Sequence, residues 1–134
     1  MKNNFKNFLK SKFNLEIWAE NKIIFRSKKK GIKGFLDFIK KPKKKFKNLI
    51  VFDTKVGNAV ALLCVFIKAK EVYGKIGSKI AKKTLKKFKI KFYFLKTIPF
   101  ILNKEKKDFC PLEKLSILKN PKAFYKLLKE RRLF

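Results

Sequence analysis

Hydrophobic positions along the first third of the chain switch between two periods. Phe5, Phe8, Leu9 and Phe13 recur at helical intervals and predict an N-terminal helix over residues 3 to 13. "NLEIWAE" then sets Leu15, Ile17 and Ala19 against polar or amphipathic neighbours, and "KIIFRS" follows a turn near Asn21. That pair predicts a β-hairpin. From Gly31 to Lys41 the helix period returns through Ile32, Phe35, Leu36 and Ile39, and Pro42 stops it.

"FKNLIVFD", residues 46 to 53, contains the unbroken apolar run Leu49 to Phe52 expected of a strand buried on both faces. The helix predicted next, from about Val56 to Ala69, is apolar nearly all round, so it must lie between other elements. "EVYGKI" predicts another strand. Ser78 is placed to cap a helix that turns Ile80, Thr84, Leu85 and Phe88 inward and Lys79, Lys82, Lys83, Lys86 and Lys87 to water. "KIKFYFLK" alternates again, with Ile90, Phe92 and Phe94 on one face. After Pro99 the chain reads as loop through "NKEKKD". A short helix is expected from Pro111, and a last one opens with Asn120 as cap and Pro121 as first helical residue, its inner stripe being Ala123, Phe124, Leu127 and Leu128.

Alternating strands and helices after a hairpin imply an α/β protein, a three-layer α/β/α sandwich with a mixed, roughly five-stranded sheet. No repeat or long linker divides the 134 residues, so one domain over residues 1–134 is expected. Composition agrees: 46% hydrophobic residues, 16 of them phenylalanine, exclude the disordered class.

The formal net charge of +29 changes the picture of the surface rather than of the fold. Only three of the 38 basic residues are arginines, Arg26, Arg131 and Arg132. A nucleotide bias toward A and T explains much of this, since Phe, Ile and Asn are also abundant. It does not explain the scarcity of glutamate. The lysine runs "SKKKG", "KKPKKKFK" and "KKTLKKFKIKF", interleaved with Phe92, Tyr93 and Phe94, allow non-specific attraction to nucleic-acid phosphates, although such lysines more often form solvated faces and such aromatics a core. The near absence of arginine argues against sequence readout.

No apolar run reaches the roughly 20 residues that span a bilayer; the longest, Val56 to Ile67, contains Asn58. No secretory signal is visible, and two cysteines do not make a disulfide framework, so a cytoplasmic protein with reduced thiols is expected.

The segments "IIFRSKKKGIKGFLDFI", "FDTKVGNAVALL", "KEVYGKIGSKIA" and "IPFILNKEKKDFCPLEK" resemble the family known as domain of unknown function 1893, from about Leu15 to Leu128. The resemblance implies a cytidine deaminase-like fold and carries no established activity. Zinc deaminases open the helix after the central strand with His-x-Glu or Cys-x-Glu and the next with Pro-Cys-x-x-Cys, to hold a zinc ion that activates water. Here those places hold Lys55, Val56, Gly57 and Asn58, then Gly77, Ser78, Lys79 and Ile80, and the chain has no histidine. No metal site and no cofactor are expected.

Two groups of residues remain as candidates. Asp53 and Thr54 are read as the end of the central strand, where open α/β sheets collect ligands; with Lys55, Gly57 and Asn58 they would bind a small anionic or nucleotide-like ligand at the start of the buried helix. The competing reading makes Asp53 or Thr54 a helix cap and Gly57 a packing residue. In "KDFCPLEKLS", residues 107 to 116, Cys110 precedes Pro111 and Glu113 stands where the partner of a capping box would. Cys110, at the positive end of a helix and amid lysines, would gain thiolate character, with Asp108 opposing it, and would serve with Glu113 as a catalytic pair. The alternative makes Cys110 a small packed hydrophobe. Cys64, among Leu62, Leu63, Val65 and Phe66, belongs in the core.

Overall fold

The computed structural model describes residues 2–41, 46–99, 116–117 and 120–130. The elements run α1 (Lys2–Lys10), β1 (Leu15–Ala19), β2 (Lys22–Ser27), α2 (Lys33–Lys40), β3 (Ile50–Val56), α3 (Asn58–Phe66), β4 (Glu71–Ser78), α4 (Lys79–Lys87), β5 (Lys91–Ile98) and α5 (Pro121–Glu130). They form an α/β fold around a five-stranded mixed sheet in the order β2-β1-β3-β4-β5.

The hairpin turns through Glu20 and Asn21, whose φ angles are 52° and 61°, the left-handed pair that matches the twist of two antiparallel strands. β1 also pairs antiparallel with β3, placing Leu15 beside Asp53 and Glu16 beside Phe52. The β3–β4 and β4–β5 pairs are parallel, each joined through a helix, α3 or α4. Parallel neighbours need such crossovers because the chain must return to the starting edge.

Alternation along the strands divides the apolar residues between two clusters. Ile17, Val51 and Val72 join Leu36 of α2, Leu63 of α3, Leu85 of α4 and Leu128 of α5 in the larger one. Phe52, with Trp18 and Tyr73, faces Phe5 and Phe8 of α1 in the smaller one. The N-terminal helix is therefore a cover for its own face of the sheet, held by edge contacts such as Phe5 on Phe52 at 5.3 Å between ring centroids. Tyr125 of α5 stacks on Phe66 of α3 at 4.6 Å. The two sequence-predicted caps are formed: Ser78 Oγ accepts the Ala81 N–H at 3.0 Å, and Asn120 Oδ1 accepts the Ala123 N–H at 2.7 Å.

Several sequence expectations shift. The central strand begins at Ile50 and runs to Val56, so Phe46 lies exposed and Asp53 sits in mid-strand rather than at its end. Phe88 closes α4 on its exposed side, and Ala123 is likewise exposed on α5. Glu16, one of the polar neighbours in β1, is buried, because α1 brings an apolar layer to that face as well. Its carboxylate accepts from Arg26 Nε at 3.1 Å and from Trp18 Nε1 at 2.8 Å, which satisfies the charge that burial would otherwise strand.

Candidate functional site

Asp53, Thr54, Lys55 and Val56 form the second half of β3, and Gly57 alone links that strand to α3. Asp53 shares its row of the sheet with Leu15 and Gly74, and its side chain is 5% exposed. Burial pushes its carboxyl up to about 8; N–H donation from Lys55 and Thr54 opposes the shift without cancelling it. The Lys55 N–H reaches Asp53 Oδ1 at 3.1 Å. Near neutral pH this carboxyl therefore carries its proton and little charge. Burial also raises the Cys64 thiol, with Asp53 adding to the effect, so Cys64 is a core residue without thiolate character.

Thr54 points the other way. Its hydroxyl donates to Asn14 Oδ1 at 3.2 Å and its N–H to the Asn14 carbonyl at 3.1 Å, tying β3 to the α1–β1 connection. Lys55 is exposed. Gly57 is the N-cap of α3, extended at φ −84° and ψ −179°, and supplies no side-chain cap to the first helical N–H groups.

Asn58 is the first residue of α3 and is buried. Its Nδ2 donates to the Ser116 carbonyl at 3.2 Å and to Ser116 Oγ at 3.1 Å, and its Oδ1 accepts from the Thr84 hydroxyl. One amide thus joins α3, α4 and the chain entering the C-terminal helix. Thr84 and Ser116 were not singled out as site residues by sequence reading, although Thr84 was placed on the inward face of α4. Ser116 carried no signal, since its partner lies 58 positions earlier.

The structure sets Asp53 and Lys55 in β3 and Gly57 and Asn58 at the start of α3, with Thr54 directed to the opposite face. Cys110 and Glu113 lie outside the described residues, as does the helix expected from Pro111. At the second deaminase position, Ser78 is a fully buried cap and Gly77 is overlain by Phe94. Among the described residues, no group of three His, Cys, Asp or Glu side chains is placed to hold a metal ion. Among them, too, no helix is long and apolar enough to cross a membrane.

These features define an α/β protein with a mixed sheet whose central strand feeds a buried helix past an uncharged carboxyl. Its family follows from comparison: the model of "Domain of unknown function (DUF1893)" matches residues 4–131, and the chain belongs to that family. The crystal structure of a DUF1893 family protein, TM1506 from Thermotoga maritima, is similar over 97% of this chain and 88% of that one, with a TM-score of 0.86 and 27% identity. No curated protein matches the chain.

Proposed function

We propose that this protein is a binding module on a three-layer α/β/α, cytidine deaminase-like frame that lacks the zinc site. Its ligand is a small anion or a nucleotide-like molecule held at the β3–α3 turn. The observation that carries this reading is the side-chain-free cap of α3 at Gly57 beside the exposed Lys55. Helix N-termini favour negative charge; Gly57 and the first turn of α3 are buried, so a ligand's anionic end would approach from the side of exposed Lys55. Asp53, in the strand before the turn, does not oppose an anion while it keeps its proton. Asn58 acts from behind, fixing the helix tip through Thr84 and Ser116.

Cys110 and Glu113 enter by chain reach. Ser116 is held against Asn58, and six residues of extended chain span at most ~20 Å, three residues ~10 Å. That reach allows either side chain to approach the ligand, and thiol chemistry on it is the accompanying proposal. A cytoplasmic location fits the reduced thiols this requires.

The test is thermal denaturation and calorimetric titration with uridine monophosphate and with inorganic phosphate. Stabilisation that Lys55→Glu abolishes supports the reading. No stabilisation of the wild type by either probe would sink it.

A further inference from the structure

On the α1 side of the sheet, beyond the edge of α1, β4 and β5 present a face of different chemistry from the turn. Tyr73 and Tyr93 lie side by side in register, their ring centroids 6.3 Å apart. Phe5 of α1 braces both from behind, at 5.4 Å and 6.3 Å. Tyr93 remains 45% exposed and Leu95, on the same face, 56% exposed, the highest value for a large hydrophobic side chain among the described residues. A shallow hollow of about 310 Å³ is lined by Glu71, Tyr73, Lys91, Phe92 and Tyr93.

Charge surrounds these rings. Exposed Lys91 stands in register with Glu71, and exposed Lys75 projects from β4 between Tyr73 and Gly77, with no acid anywhere on β5. Glu71 is the acid on this face of β4; it accepts the Tyr73 hydroxyl at 2.9 Å, and Lys91 beside it offsets its charge. The other two aromatic residues of the β5 run, Phe92 and Phe94, turn into the core instead.

We infer that the Tyr73–Tyr93–Leu95 face of β4 and β5 is a docking surface for single-stranded nucleic acid. A chain carrying +29 repels a second copy of itself, whereas a polyanion is drawn to it, so the exposed apolar rings call for an anionic occupant. Bases are the flat apolar groups of such an occupant. They stack on tyrosine faces with little regard to sequence, while neighbouring lysines meet the phosphates. A duplex hides its base faces and gains only the charge term. The inference is independent of the ligand proposed at the β3–α3 turn, which leads into α3 on the opposite face of the sheet.

Binding of a short fluorescent oligouridylate, followed by anisotropy at low and at several-fold higher salt, tests it. Tyr93→Ala is expected to weaken binding about tenfold, the loss of one stacked base, and this factor should persist at the higher salt. Tyr93→Phe keeps the ring face and should bind nearly as the wild type does. Lys82→Glu with Lys83→Glu, on α4 behind the opposite face, should lower affinity only through overall charge and lose its effect as salt rises. Equal binding by wild type and Tyr93→Ala, or a Tyr93 effect that vanishes with salt, overturns the inference, as does equal affinity for a duplex of the same length. Nucleotide stabilisation lost in Lys55→Glu but kept in Tyr93→Ala separates the two sites.

Discussion

The Lys55 N–H donates to Asp53 Oδ1 at 3.1 Å, yet the carboxyl it serves is buried in mid-strand and stays protonated up to about pH 8. Backbone donors alone do not replace the water that an ionised carboxylate loses on burial.

Folding therefore draws a proton onto Asp53. In the unfolded chain this group titrates near its ordinary value of 3.8, and in the fold near 8. The raised value makes its contribution to stability complete below about pH 3.8 and progressively lost as pH rises to about 8, by up to about 1.4 kcal/mol per pH unit for one proton. Asp53→Asn carries no charge at any pH and should flatten that slope. Urea midpoints across the pH range are the measurement: the variant's advantage should grow through this window and then level off. Parallel curves for the two proteins would show that Asp53 is ionised in the fold.

Cys64 is wholly buried, and burial raises its thiol. Aromatic disulfide reagents should leave it unmodified in the native protein and label it only as the chain unfolds, at a rate that saturates at the opening rate. Cys110→Ser should therefore abolish native-state labelling altogether. Rapid labelling of that variant would place Cys64 at the surface.

Phe94 lies over β4 because Gly77 leaves room for its ring: a Cβ there would sit 2.0 Å from Phe94 Cδ2. Gly77→Ala should cost about 1–3 kcal/mol in chemical denaturation, through overpacking. Shortening the ring in Gly77→Ala/Phe94→Leu should recover part of the loss, since the clash belongs to the pair. A double variant as unstable as the sum of the singles would locate the strain in the backbone.

Local patterns foretold much of this fold and little of its site. The hairpin, α4 with its Ser78 cap and α5 with its Asn120 cap depend on neighbours a few positions apart, and the chain shows them as spacing. The limits of β3 were misplaced because Thr54 and Lys55 do not advertise a strand; pairing with Ile76 across the parallel ladder makes them one. The burial of Glu16 had no local signal for a similar reason: it follows from α1 folding back over the sheet, a contact that β1's own alternation does not contain. Gly57 and Asn58 were legible as the start of a helix after a central strand, whereas Asp53 and Lys55 lie within that strand. The use of Asn58 was not, because its partners Thr84 and Ser116 lie 26 and 58 residues away.

Asn58 also permits the sharpest test of the architecture. As an amide it accepts from Thr84 and donates to Ser116 at the same time, a polarity that fixes which atom faces which helix. Asn58→Ala removes both connections in a buried place and should cost about 2–4 kcal/mol in urea denaturation. Asn58→Asp preserves size but has no donor when ionised, so its oxygen would face the Ser116 carbonyl. The charge is then both buried and repelled. Asp should accordingly be the worse substitution at neutral pH and should improve on acidification, as the protonated carboxyl regains a donor for Ser116. A double-mutant cycle with Ser116→Ala should show coupling of about 1 kcal/mol or more. An Asp variant as stable as wild type at neutral pH would mean that the amide does not hold α3, α4 and Ser116 together.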